Sequence, residues 1–535
     1  MSIDQPAFAA VDRGTATVAV SLVGRVDGRW RLLGSTAGPA GVPEEALLER
    51  LRRRLAAADP GIAASLALDA VGSAAGTPRL ACATSAAPEL AVIAATARVL
   101  TPLAAVAATA GWCVRPLIME GAEILAVATA LADPRVGAVL AGASDPPGAD
   151  ERPLIAELGH LVSAATERRP DLVAVLAGGL AEPGGRTEAL FRPGRPGPTV
   201  LAPSAAVGSG EPLRALLDGL RGGDHDGRRA LAVTTGTLAD VLQRRVEVVE
   251  IGQAGAIRAA AGWAAGEAAV PRVAIVPEAA LLPRSFSDEH LDAVMSWLTV
   301  PLDRLRVRDR LRELALASWG DAAGDGALLR MAAVRAALAR LVIATPAFDT
   351  LPPPDLVVAA GGAWAVAPGP AVALALADVM RRAGVRAQGL DHARLLAPLG
   401  TIADPGERRE VVADLRDDLL VPLGSVLMPA GFRPGRSAGR LVIRGAGGTA
   451  ELDLVPGALE LVDLPSGERA VVELELRDAV RLGLRTHHVA MEVAGGLGGL
   501  LVDLRDVPLS LPQRLERRRE LLASWQAALW PEIGT

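Results

Sequence analysis

Val11-Asp12-Arg13-Gly14-Thr15-Ala16-Thr17 and its distant counterpart Val249-Glu250-Ile251-Gly252-Gln253-Ala254-Gly255 decide how this chain is read. Each places an acid two residues before a glycine, between runs of strand-forming residues. A strand that delivers a carboxylate into a glycine turn, followed by a returning strand, can wrap backbone N–H groups around a phosphate and aim the acid at its metal ion. The same acid-x-Gly pattern also serves ordinary hairpin turns, where glycine relieves a positive φ. One copy is uninformative; two point to a duplicated phosphate clamp.

Outward from the first loop, Phe8 to Val11, Thr17 to Val23 and Trp30 to Leu33 read as an antiparallel meander. Pro43 opens a helix with Leu47, Leu48, Leu51 and Leu55 on one face, and Glu49 and Arg52 to Arg54 on the other. From Leu80 to about Leu201, short apolar strands alternate with helical segments, which argues for α/β units with a largely parallel sheet. Gly142-Ala143-Ser144-Asp145 and Gly178-Gly179 follow strand ends and read first as turn chemistry, while Glu182 to Pro198 reads as an exposed loop. Around the second loop, Val246 to Ile251 and Ala256 to Ala260 form the strand pair, followed by a helical block from Ser287 to Ile343 and a buried strand at Leu356 to Ala360. From about Gly424 the pattern turns to short alternating strands, predicting a small β domain, before a charged helix at Pro512 to Leu529.

Composition narrows the chemistry. The chain has 535 residues, a net charge of −6 and an apolar fraction of 50%, and it contains no lysine, asparagine or tyrosine. A Schiff-base lysine, a Walker-type lysine and a tyrosine acid are therefore excluded. The charge gives no basic footprint for nucleic acid, and the arginine clusters Arg50 to Arg54 and Arg517 to Arg519 read as solvated helix faces. Cys82 and Cys113 lie in apolar stretches, as expected of buried thiols in a reducing compartment. His487-His488 would point to opposite faces of a strand, and His225 in Gly222-Gly223-Asp224-His225 reads as a loop residue, so no structural metal is expected. Leu356 through Ala377 carries no charge, but Gly361-Gly362 and Pro368-Gly369-Pro370 break it; a cytoplasmic protein with no membrane span is expected.

The order of these parts resembles the glutamate mutase accessory, or L protein, family of the actin, heat-shock chaperone and sugar-kinase ATPase superfamily. Ala10 to Thr17 is similar to that family's first phosphate loop and Glu250 to Ala256 to its second. Ala81 to Ala87 and Val139 to Asp145 resemble its Ser/Ala-rich segment and its apolar strand with a glycine turn. Asp355 to Ala363 resembles its adenosine-side strand and Gly-Gly turn, and Leu390-Asp391-His392 its Leu-Asp-Arg; Gly498 to Arg505 and Pro508 to Pro512 also have counterparts. The resemblance implies two actin-like, ribonuclease H-like halves, the first over 1–230 with an inserted α/β segment at about 85–205, the second over 231–423. A β domain over 424–511 and a helix over 512–535 complete the expected organisation.

The implied ligands are ATP and Mg²⁺, held by Asp12, Gly14, Thr15, Thr17, Glu250, Gly252, Gln253, Gly361 and Gly362, with Asp12 and Glu250 ordering the metal through water. The implied role is chaperone-like assistance to a coenzyme B12-dependent carbon-skeleton mutase, not the mutase reaction itself. Where the family's second loop carries Asp and Thr-Thr, this chain carries Glu250 and Gly255-Ala256. That leaves a weak ATPase and a hydrolysis-deficient scaffold both open. A small-molecule kinase or an ATP-dependent amidohydrolase subunit ranks lower, since the nearest carboxylate for a kinase base is Asp240, in a predicted helix. Trp364 is expected in the core ahead of stacking beside a base.

Overall fold

A computed structural model describes residues 6–66, 77–84, 89–110, 112–133, 136–169, 172–180, 199–202, 210–220, 225–253, 255–264, 267–268, 271–283, 286–317, 324–364, 367–432 and 436–529. The loop expected at 182–198, residues 85–87 of the Ser/Ala-rich segment and Gly222 to Asp224 lie outside them. Two compact units result: Met1–Ser85 with His225–Thr535, and Ala86–Asp224.

The first unit opens with β1 (Ala7–Gly14), β2 (Thr17–Val26), β3 (Arg29–Pro39) and β4 (Arg79–Thr84). The second contains β5 (Glu89–Ala94), β6 (Cys113–Ile118), β7 (Val136–Ala143), β8 (Val173–Gly178) and β9 (Thr199–Ala202). The chain then returns to the first unit with β10 (His225–Asp226), β11 (Val246–Ile251), β12 (Ala256–Ala261), the two-residue β13 (Trp263–Ala264) and β14 (Glu267–Ala268), and β15 (Arg272–Val276). It continues through β16 (Leu356–Ala360), β17 (Gly384–Leu390), β18 (Val421–Met428), β19 (Gly439–Gly445) and β20 (Gly448–Leu454). The last strands are β21 (Leu459–Val462), β22 (Arg469–Leu482), β23 (Leu484–Ala494) and β24 (Leu500–Asp503).

One sheet of the first unit runs β10-β4-β1-β2-β3, the other β15-β12-β11-β16-β17-β18-β24-β21. β1 pairs antiparallel with β2 and parallel with β4, just as β11 pairs antiparallel with β12 and parallel with β16. The outer neighbours repeat as well: β2–β3 and β12–β15 are antiparallel, β4–β10 and β16–β17 parallel. The same five-strand order, used twice, is the duplicated actin-like α/β fold. The second unit, which falls in the chain between β4 and β10, is an all-parallel sheet ordered β6-β5-β7-β8-β9. Within it, Gly178 (φ +61°) lets β8 end against β7: a Cβ there would lie 2.1 Å from the Ala143 carbonyl oxygen. This close approach is the turn chemistry expected of that glycine.

Strand parity explains how the clamp is oriented. Side chains alternate between the two faces of a strand. Phe8 and Ala10 of β1 and Val246 and Val248 of β11 enter one shared core with the helix Gly227–Leu242. The same parity carries Asp12 and Glu250 to that side, at the carboxyl ends of their strands. The opposite residues Ala7, Ala9 and Val11 meet Leu47, Leu48 and Leu51 of the helix Glu44–Ala58, each leucine contributing roughly 1.5–3 kcal/mol by burial. Arg52 of that helix, expected on the solvated face, is only 2% exposed. Val249 and Ile251 pack on the helices Gly324–Ala344 and Gly369–Val379.

Leu356 to Ala377 divides into β16, the Gly-Gly turn and the start of the helix Gly369–Val379, and no helix among the described residues is long and apolar enough to cross a membrane. Beyond residue 424, β20-β19-β22-β23 form a four-stranded antiparallel sheet, while β21 and β24 continue the second half's sheet. The final helix, Leu515–Leu529, buries Leu522, Trp525 and Leu529 against Leu374, Val426 and Leu501.

Candidate functional site

The two hairpins at the strand ends are built alike. Asp12 pairs with Ala19 and Glu250 with Ile257, the same register in each hairpin. A Cβ on Gly14 would lie 3.1 Å from the Thr17 carbonyl oxygen, and one on Gly252 would lie 3.1 Å from that of Gly255. Asp12 and Glu250, Gly14 and Gly252, Thr15 and Gln253, Thr17 and Gly255 are thus structural equivalents. Together with Gly362 these residues line one cleft, joined by Arg228, Arg330 and Arg394. Arg13, which leaves β1 on the other face, donates instead to Glu44.

The Gly-Gly turn touches both loops. Gly361 holds φ +95°, and a Cβ there would meet the Ile251 carbonyl oxygen at 2.7 Å and Glu250 Cγ at 2.8 Å. Gly361 therefore stands behind Glu250. Gly362 faces the cleft, where a Cβ would collide with Arg394 Nη2. Trp364, after the turn, is fully buried in the core, as expected.

Asp12 and Glu250 line the cleft and, like the neighbouring Asp391, are at most 7% exposed. Burial, with the charge of Asp12 adding to it, raises Glu250 to about 8, against opposing pulls from Arg228 and Arg394. Its Oε2 is buried without a hydrogen-bond partner. Burial also raises Asp391 to about 7, although it accepts the Leu395 N–H at 2.9 Å and the Leu396 N–H at 3.1 Å. Near pH 7 Glu250 thus keeps its proton, and can donate a hydrogen bond where an ionised acid could only accept one.

Arg394 spans the two halves. It donates from Nη2 to Thr17 Oγ1 at 2.8 Å, and Nη1 lies 3.7 Å from Asp12 Oδ2. Cys82 on β4 is the residue beside Asp12, its Sγ 3.8 Å from Oδ1. Burial and the neighbouring carboxyls push this thiol well above its ordinary range, so it is no nucleophile.

This donor set suits an oxyanion: Thr15, Thr17, a protonated acid and three guanidinium groups line one space. The volume at its centre is about 60 Å³, enough for several waters or a phosphate-sized group. A whole nucleotide requires the cleft to widen. The second loop is the weaker partner: Gly255 stands where the first has Thr17, and Gln253 Nε2 donates to Ala315 O at 3.4 Å. Asp240 does not line the cleft; it lies on the helix Gly227–Leu242, 3.3 Å from Arg409.

Sequence reading alone did not place Arg228, Arg330 or Arg394 in the cleft, nor Asp391 beside it. Asp391 had a signal, as the acid directly after a buried strand, like Asp12 and Glu250 near the ends of theirs. The arginines had none.

No protein-family model matches the sequence, and no curated protein matches it. Among solved structures, the chain is similar to the PilM–PilN type IV pilus biogenesis complex at 12% identity, over 76% of this chain and 98% of that one, with a TM-score of 0.25. It is similar to the Ppx/GppA family member of Aquifex aeolicus at 8% identity, over 66% of each chain, with a TM-score of 0.17. An exopolyphosphatase from Cytophaga hutchinsonii aligns at 7% identity over 66% of each chain, also with a TM-score of 0.17. Likeness at this level carries no functional argument; the internal repeat of strand order is what defines the fold.

Proposed function

We propose that the cleft binds a nucleotide through its phosphates, ATP with Mg²⁺, and that the chain serves as a nucleotide-binding accessory protein of a coenzyme B12-dependent carbon-skeleton mutase. The nucleotide part is supported by one observation above all: two hairpins of identical register bring Asp12 and Glu250 to one cleft lined by three arginines. Thr17, Arg228, Arg330, Arg394 and the loop N–H groups would hold phosphates. Asp12 would order Mg²⁺, which supplies positive charge to offset them; Glu250 can join only after losing its proton. Arg394 must exchange its contacts with Asp12 and Thr17 for the ligand. The accessory role rests on the order of the sequence motifs.

A second reading, a scaffold that binds nucleotide without turning it over, is favoured by the protonated Glu250 and the missing hydroxyl at Gly255. Calorimetry with Mg-ATP on the wild type and on Asp12→Ala tests the binding proposal. Binding lost in the variant is the expected result, and no binding by the wild type would sink it. Hydrolysis well above background that Asp12→Ala abolishes would overturn the scaffold reading. Mass spectrometry of proteins co-purifying from the native cell tests the partner, a mutase subunit being the expected find.

A further inference from the structure

Glu247 and Glu250 leave β11 on opposite faces, and the face that carries Glu247 borders a second cavity of about 580 Å³. It is bounded by the amino-terminal halves of β11, β16 and β17, through Glu247, Val357 and Arg386, away from the strand ends that form the clamp. That volume falls within the roughly 300–1,000 Å³ of small-molecule sites. Its wall is mixed: Trp297, Val342, Val379, Leu509 and Leu511 give an apolar side, and a group of arginines gives the other.

The charges around it do not balance. Glu247 is matched by Arg258 at 2.6 Å, and Asp378 by Arg335 at 2.7 Å and Arg505 at 2.8 Å. Asp503, behind the wall, takes Arg381 at 2.7 Å and Arg505 at 2.7 Å, and the exposed Asp349 lies 3.6 Å from Arg258. Every carboxyl here has a cation, but Arg382 and Arg386 form no ion pair among the described residues. Arg386 donates only to carbonyls, from Nη1 to Arg382 O at 3.1 Å and from Nη2 to Met380 O at 2.7 Å. Arg382 donates from Nη2 to the carbonyls of Leu351 and Asp349. Arg386 Nε and Arg382 Nη1 are buried with no acceptor.

Arg386 is 5% exposed, and the carboxylates that favour its charge, Glu247 and Asp503, are each already paired with another arginine, so it is buried without a counter-ion of its own. Burial accordingly lowers its ionisation to about 10, which leaves it charged at neutral pH. A guanidinium is built to present donors to a planar or tetrahedral oxyanion. We propose that this cavity binds a small organic oxyanion, a carboxylate or phosphate monoester, whose charged group sits on Arg386 and Arg382 and whose apolar body lies against Trp297 and the leucines.

The site is separate from the clamp, so the two can be tested apart. Calorimetry on the full chain with phenyl phosphate and with benzoate as probes should show one-to-one binding of at least one, and none of benzyl alcohol, which has the body without the charge. The arm that binds more tightly identifies the head group. Asp12→Ala should leave this affinity unchanged, whereas Arg386→Met and Arg382→Gln should each weaken it about tenfold or more. Arg382 is only half-buried, so Arg382→Gln serves if Arg386→Met fails to fold by circular dichroism. Absence of binding by both anions, wild-type affinity in the folded arginine variants, or loss of binding in Asp12→Ala would overturn the proposal.

Discussion

Replacing Glu250 by Gln keeps the shape of the second loop and removes its proton. The side chain ionises near 4.5 in an unfolded chain and at about 8 in the fold. Below pH 4.5 both states hold the proton and the residue has no effect. Between those values the unfolded chain releases a proton that the fold retains, so the fold loses stability as pH rises, by about 1.36 kcal/mol per pH unit. Above about pH 8 the loss is complete, at roughly 5 kcal/mol for a rise from 4.5 to about 8. Glu250→Gln escapes it, so the variant should gain on the wild type steadily from about pH 5 to pH 8 and then level off. Urea unfolding followed by tryptophan fluorescence reads this, since Trp30 and Trp364 are both buried in the same unit as the clamp. A stability difference flat across that range, or a variant weaker than wild type at about pH 8, would refute the argument that Glu250 is buried as a neutral acid.

Two further outcomes follow, one at the clamp and one on the opposite face of β11. Gly361→Ala should cost about 2–3 kcal/mol in urea unfolding, because the left-handed backbone at φ +95° and the Ile251 carbonyl at 2.7 Å both oppose a side chain. Glu247→Ala should cost about 3–5 kcal/mol by leaving Arg258 buried and charged, while the double change Glu247→Leu with Arg258→Met should restore most of that loss.

The clamp strands were legible because β16 is a short, continuous apolar run and β11 is apolar but for Glu247 and Glu250, each closed by a glycine turn, as central strands of such a sheet require. In the folded strands, parity carries Asp12 and Glu250 to one side. β5 and the helix Ala97–Thr109 were not resolved beforehand, since the alanine that fills both suits either periodicity. Arg394 was unreadable for another reason: it meets Thr17 and Asp12 across most of the chain, and one arginine among 55 basic residues carries no mark of that contact. Arg386 reads as an ordinary strand residue, and only the charges around it, brought in from five other elements, show that it lacks a partner.

The position of the second unit, between β4 and β10, has a consequence for synthesis. Parallel neighbours such as β4 and β10 need a crossover between them, and here the crossover is the entire Ala86–Asp224 unit. On the ribosome, β4 therefore emerges and waits as an unpaired edge until that unit has been made. At about 5–20 residues per second this lasts on the order of ten seconds. An open strand edge is a template for mispairing, and the first half stays exposed to it until His225 arrives. Early folding of the second unit would shorten the flexible chain left between the two strands. The rate at which the first sheet is completed is then set by a segment that contributes no strand to it.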